Sequence, residues 1–310
     1  MKKIILFFIL SFTLFSKEGT YLSLSGSFDG NIEAVMNINV KDNKITGSYY
    51  YDKYKQPIEL SGIMEDNRIE LKEENGSFTG IKDEKNTYSG MWQDLNGKKI
   101  GFRFKIVEEE KIKYFNKKKK NNEIDFQYIE FRNKKMDKMI RENLFSTKNW
   151  EEIKKSIFSE VKDNDEDNKY YFYDGFEVIF KDENILTIKR WNYEYTGGAH
   201  GISGAQYYVF DLKKMEIIKL RDIFSGDYKN YIGNIISNKV KADENVENLF
   251  DAGYFTDKIE MSENIGMTEK GIIFCYQPYE IASYARGVVE IFMPFSKINK
   301  KYLKFTNKEW

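Results

Sequence analysis

Three residue types are scarce in this chain of 310 residues: it has one cysteine, one histidine and three prolines. Each scarcity excludes something. A lone cysteine, Cys275, forms no internal disulfide, so the fold is not a disulfide-stapled scaffold. It lies in the apolar run 272–276 and reads as a small core residue. One histidine and one cysteine cannot compose a zinc site of ordinary make-up. A carboxylate-rich calcium site stays open, but no Asp-x-Asp-x-Asp-Gly loop occurs, and the acidic stretch 163–167 has the wrong spacing for one. The expectation is no metal and no cofactor. So few prolines leave no long Pro-rich linker. Net charge is missing too. The 49 lysines and arginines balance 49 acids, whereas a nucleic-acid binder would be basic. Neither a Gly-x-Ser-x-Gly elbow nor a phosphate-cradling glycine loop with lysine is present.

Long hydrophobic runs are absent as well. The run 4–15 follows Lys2 and Lys3 and falls short of the roughly 20 residues of a comfortable membrane span. Residues 1–16 read as a signal peptide, with Ser16 at the cleavage point. The chain is therefore expected to be secreted or periplasmic, with no stable membrane span once the signal is removed.

Aromatic residues are plentiful. Phenylalanine, tyrosine and tryptophan make up 16% of the chain, which favours sheet. Over 19–108, short alternating runs are separated by turn signals: 20–25, 32–40, 45–51, 58–64, 69–73, 77–81, 88–93 and 99–107. Such a meander of about eight strands must deal with its edges, and closure into a small barrel is the simplest way. The barrel is either filled by its own side chains or holds a ligand, and eight strands leave little interior. Residues 109–122, with Glu108–Glu110 at their start and Lys117–Lys120 inside, read as a charged linker. From 123 to 310 the periodicity is mixed. Helical spacing occurs at Met136, Met139, Ile140 and Leu144, and again over 227–242. Asn149 and Glu152 suggest a capping box before a helix through Trp150, Ile153, Ile157 and Val161. Strands are expected over 124–131, 170–180, 185–196, 205–211, 272–276 and 287–294. The C-terminal class is α+β, an antiparallel sheet with helices on one face, preceded by the all-β meander.

Two stretches stand out. In Trp191–Gly204, an aromatic strand ends at Tyr195. A turn with Gly197, Gly198 and Gly201 follows, and it carries His200, the sole histidine. Glycines take positive φ or let another backbone approach closely, so they describe a shaped loop around one imidazole. That loop is either a recognition corner or a plain hairpin connection. The second stretch is Gln277–Gly287. It places Tyr279, Glu280, Tyr284 and Arg286 between two apolar strands, and tyrosine and arginine are favoured at interfaces.

These motifs carry a resemblance. Tyr195-Thr-Gly-Gly-Ala-His-Gly201, Phe210-Asp-Leu, Leu220-Arg-Asp-Ile-Phe224, Gln277-Pro-Tyr-Glu-Ile and Tyr284-Ala-Arg-Gly287 resemble the extracytoplasmic C-terminal domain of RsiV-type anti-sigma factors and PdaC-type peptidoglycan deacetylases, over about 111–305. The N-terminal meander carries no motif that ties it to a particular family. The likeness implies a non-catalytic domain, and in its RsiV branch a domain that binds lysozyme. The chain lacks the sigma-binding segment and the deacetylase domain of those relatives, so neither signalling nor deacetylation is implied. The resulting expectation is a cell-envelope recognition protein. Its partner would be a lysozyme-like protein or peptidoglycan, met by Tyr195, Gly197, Gly198, His200, Tyr279, Glu280, Tyr284 and Arg286. The alternative is a cell-wall hydrolase using His200. Between Asp243 and Glu263 seven acids face one lysine, which suggests an acidic face around Glu244, Glu247 and Asp251 for a basic partner.

Overall fold

A computed structural model describes residues 18–119, 121–145, 151–153, 155 and 170–304. The proposed signal peptide, and the expected helix after Asn149 apart from its few described positions, lie outside them. Eight antiparallel strands form the N-terminal part: β1 (Glu18–Phe28), β2 (Ile32–Lys41), β3 (Lys44–Tyr51), β4 (Ile58–Glu65), β5 (Arg68–Glu73), β6 (Gly76–Lys82), β7 (Thr87–Asp94) and β8 (Lys99–Lys119). Each pairs with the next, and β1 also pairs with β8, so the meander closes into a barrel. Alternation sends every second side chain inward. Leu24, Phe28, Met36, Ile38, Tyr49 and Phe78 are among the residues that fill the interior. Closure removes the free edges that an eight-stranded open sheet would expose.

The expected linker at 109–122 is instead strand. β8 runs unbroken through Lys119. Its first half pairs with β7 and its second half with β9 (Asn122–Glu130), while β1 spans both halves. Glu110 is buried and accepts the backbone N–H of Arg132 at 3.0 Å. The charges that looked like a solvated run are matched across the ladder. Lys113 lies 3.0 Å from Glu130, and Lys118 lies 3.7 Å from Glu123. Opposite charges on paired strands make a charged run compatible with sheet.

Beyond β9 come α1 (Lys134–Phe145), β10 (Tyr171–Lys181), β11 (Ile185–Tyr195), β12 (Ile202–Asp211) and the short β13 (Glu216–Ile217). β9 and β10 are parallel, which corrects the expectation of a purely antiparallel sheet. Parallel neighbours need a long crossover, and the segment containing α1 supplies it. Met136, Met139, Ile140 and Leu144 of α1 pack on Phe126, Tyr128, Phe176 and Val178. A bulge in β10 pairs Val178 with Ile188 and Phe180 with Thr187, leaving Ile179 without a partner. The extra residue turns Phe180 away from Phe176 and Val178, onto Tyr50 of the barrel at 5.2 Å.

The chain then forms α2 (Leu220–Ile223) and α3 (Lys229–Glu244), followed by a three-stranded antiparallel sheet of β14 (Ile265–Met267), β15 (Gly271–Tyr276) and β16 (Val289–Pro294). Ile232, Ile236 and Val240 of α3 pack with Met267, Phe274 and Met293 of this sheet. Ala205 and Tyr207 of β12 pack with Ile273 and Phe292. Cys275 is fully buried there, and burial pushes its thiol up to about 12, as befits a core residue. Among the described residues no helix is long and apolar enough to cross a membrane.

Candidate functional site

The glycine loop and the Gln277–Gly287 connection meet in space. Gly197 and Gly198 have φ of +98° and +94°, a region that L residues with a Cβ rarely enter. Gly201 is needed for a different reason. Its backbone is ordinary, but a Cβ would sit 2.5 Å from the carbonyl of Glu194 and from the Tyr193 ring. Tyr195 closes the loop by donating its hydroxyl to Gly198 O at 3.0 Å.

His200 is exposed and stacks on Tyr284, with ring centroids 4.2 Å apart and planes 18° apart. Its Nδ1 lies 3.1 Å from Gly201 O, and the Tyr284 hydroxyl donates to the same carbonyl at 2.6 Å. Tyr279 follows at 5.7 Å from Tyr284, is 57% exposed and has φ of 69°. Glu280 is exposed, but its carboxylate is already engaged within the turn. It accepts Gln277 N–H at 2.7 Å and closes the turn that presents Tyr279. Two amides that the sequence reading did not select brace the corner. Gln277 accepts Ala205 N–H at 3.0 Å and donates to Ala205 O at 2.7 Å, while Asn264 donates to the same carbonyl at 2.7 Å. Only their three-dimensional neighbours mark them, since amides in loops are common.

Arg286 is a tie between segments. It donates to Glu244 at 2.6 Å, to Ala252 O at 2.5 Å and to the Tyr254 hydroxyl at 3.3 Å, and it lies 4.5 Å over the Tyr254 ring. Phe255 N–H donates to Ile281 O, which binds 249–255 to the same corner. Two exposed aromatics come with it, Phe250 at 59% and Phe255 at 49%.

The acidic face is smaller than its composition suggests. Asp243 pairs with Lys239, Glu244 with Arg286, Asp257 with Lys241 and Glu263 with Lys229. These cations precede or follow the acidic stretch, so a linear count misses them. Glu247 and Asp251 have no ion-pair partner among the described residues. The site residues thus divide. His200, Tyr279 and Tyr284 form one exposed aromatic surface; Tyr195, Gly197, Gly198 and Glu280 shape it; Arg286 and Glu244 hold it to the neighbouring loop.

Buried charge lies elsewhere, at positions the sequence reading passed over. Asp174 is fully buried and takes a bidentate bond from Arg190, at 2.9 and 2.5 Å. Burial raises its carboxyl, against the pull of Arg190. Lys189 lies 2.9 Å from Glu290 and 3.0 Å from Glu59 of the barrel, with Glu177 close by. A charged residue in phase with the apolar positions of a strand, as Asp174 is with Phe176 and Val178, was the available signal.

Residues 109–203 match the family model described as Deacetylase PdaC, and residues 221–296 match that of a protein family of unknown function, DUF3298. No curated protein matches the chain. A solved DUF3298 family member from Bacteroides fragilis NCTC 9343 is similar at 23% identity, over 75% of this chain and 96% of that one, with a TM-score of 0.50. A DUF3298 family protein from Pseudomonas aeruginosa PAO1 is similar at 14% identity, over 62% and 94%, also with a TM-score of 0.50. At such identity these structures speak for the fold alone. From the second half of β8 to β16, then, the chain is PdaC- and DUF3298-like, and each match falls on the part that carries one of the two constellations.

Proposed function

We propose that the chain is a secreted or periplasmic cell-envelope recognition protein that binds a basic, lysozyme-like partner protein without catalysis. The resemblance of its glycine loop to RsiV-type domains supports this reading. The observation that carries this reading is the cluster of exposed aromatics at one corner. Tyr279, Phe250 and Phe255 stand on segments hydrogen-bonded to each other, beside the stacked His200 and Tyr284. Exposed aromatics grouped with arginine are the residues that carry binding energy at protein interfaces, and exposed apolar patches mark contact sites. Glu247 and Asp251 flank Phe250 and favour a basic partner. Hydrolysis through His200 has less support. A general base needs a nucleophile or an orienting carboxylate in hydrogen-bond reach. Among the described residues the hydrogen-bond partner of His200 is the Gly201 carbonyl.

The test is surface binding of the chain without residues 1–16 to lysozyme and to purified peptidoglycan. Lysozyme should bind, with affinity falling as salt rises, and Tyr279→Ala should weaken it about tenfold or more. Peptidoglycan binding with no lysozyme binding would replace the partner by a glycan. Peptidoglycan cleavage lost in His200→Ala would restore the hydrolase.

A further inference from the structure

A crevice runs along the open edge of the three-stranded sheet. β16 pairs with β15 on one side and, among the described residues, with no strand on the other. The alternation of an antiparallel ladder decides which of its main-chain groups are left over. Cys275 N–H donates to Asn264 O, and Thr268 N–H donates to Gly271 O, so the odd-numbered residues of β15 bond towards β14. The even-numbered ones bond to Val289, Ile291 and Met293, and Phe295 N–H continues that row to Lys270 O. The N–H and C=O groups of Glu290 and Phe292 therefore point away from the sheet. Among the described residues no hydrogen-bonding partner meets them. Pro294, which has no N–H, ends the row of donors.

The barrel forms the opposite wall. From the start of β16 to its end, cavities of about 650, 830 and 290 Å³ follow one another between the strand and the barrel. The first two share Glu290 and Leu60, and the last two share Tyr54 and Gln56. This space admits one extended chain, whereas the edge of a second folded sheet would meet the barrel. Unpaired N–H and C=O groups at every second residue are what an added strand satisfies. The last cavity, beyond Phe292, indicates which part of a chain enters. Tyr54, Phe292, Pro294 and Phe295 give it an apolar lining, with Lys53 and Lys270 beside one acid, Glu269. Glu269 already faces Lys270 at 3.3 Å and Lys55 at 3.8 Å. Lys53 has no carboxylate partner among the described residues, and its ammonium lies 5.0 Å from the Tyr54 ring centroid. The rings suit an apolar side chain and the surplus ammonium suits a carboxylate. Together they suit the last residue of a polypeptide.

We infer that β16 takes up a further strand, the extended C-terminal segment of a partner polypeptide, with its last, apolar side chain in the cavity at Phe292 and Pro294 and its carboxylate at Lys53. The added strand runs parallel to β16, because that cavity lies past the C-terminal end of the open edge. The site is separate from the aromatic corner, and the inference does not rest on the protein partner proposed there.

Fluorescence polarisation with the chain lacking residues 1–16 tests it, using a labelled hexapeptide of alternating threonine and valine that ends in leucine, as the free acid and as the C-terminal amide. The acid should bind saturably, and amidation should weaken it about tenfold, the effect of losing roughly one charge-assisted contact. Lys53→Met should weaken the acid by a similar factor and leave the amide unchanged. Lys53 is exposed, so this exchange leaves the fold intact, which thermal melting verifies. N-methylation of alternate peptide nitrogens should weaken binding at least about tenfold for the set that faces β16 and little for the other set. Tyr279→Ala should leave binding unchanged. Absence of binding, equal binding of acid and amide, equal effects of the two methylation sets, loss of binding in Tyr279→Ala, or a dimer of the chain that the peptide dissociates would each overturn the proposal.

Discussion

The wall of the barrel has two faces, and they are built on different physics. Inward, Phe28 meets Tyr49, Phe78 and Phe104 at 6.3, 5.9 and 5.5 Å, among aliphatic side chains. Outward, beneath β10 and β11, the same strands present polar groups. Along β2 the alternation is plain, with Met36 and Ile38 inside and Asn37 and Asn39 outside. Asn39 donates to Phe176 O at 2.9 Å, and the Tyr21 hydroxyl donates to Asn37 at 2.9 Å. Lys181 reaches Glu108, and Lys189 reaches Glu59. Apolar burial is non-directional and supplies most of the stability, whereas buried hydrogen bonds and ion pairs add little net energy but tolerate few geometries. The inner face holds the barrel together. The outer face fixes where the C-terminal part sits, and so creates the crevice.

Single substitutions sharpen this contrast. Phe78→Ala, on the inner face, should cost about 3–5 kcal/mol in urea unfolding, since its ring is fully buried. Asp174→Ala leaves the Arg190 guanidinium without its buried partner and should cost about 3 kcal/mol. A loss under 1 kcal/mol at either position would break the comparison. Asn39→Ala, on the outer face, should cost about 1–2 kcal/mol, because Phe176 O loses its side-chain donor. Gly197→Ala should cost about 1 kcal/mol from its positive φ alone, since nothing surrounds its missing Cβ.

The smallest effect is a pH slope. Burial raises the carboxyl of Glu177, with Lys189 opposing. A carboxyl raised in the folded state binds more protons folded than unfolded. Its contribution to stability is full below the unfolded value, near pH 4, and is lost as pH rises through the folded value. Relative to the parent, Glu177→Gln should therefore gain stability as pH rises above about 4. Parallel stability curves from pH 4 to 7 would show that Glu177 is not held against its own charge.

Much of the fold was legible in the residues. Each run expected over 20–107 lies within an observed strand, because a half-buried strand repeats every two residues and turn residues punctuate it. The α3 stripe through Ile232, Ile236 and Val240 was equally plain. What misled was charge. Glu108–Glu110 and Lys117–Lys119 look solvated in one dimension, yet they lie in β8, where Glu130 and Glu123 of β9 face Lys113 and Lys118 and Lys181 of β10 reaches Glu108. At the corner, the glycines and His200 stood out by rarity, while Asn264, Phe250 and Phe255 did not, since each belongs to a common type in an ordinary loop.

The sequence by itself determined the strands of the N-terminal meander, the helical stripes of α1 and α3 and the glycine loop's need for positive φ, all of which depend on local periodicity and backbone sterics. Only the tertiary structure decided that β8 leads straight from the barrel into the second sheet, that β9 and β10 run parallel, and that Glu59 from β4 meets Lys189 from β11 and Glu290 from β16. Residues so far apart in the chain are joined by packing and by the cost of leaving buried charge unmatched, and neither leaves a mark at a fixed spacing.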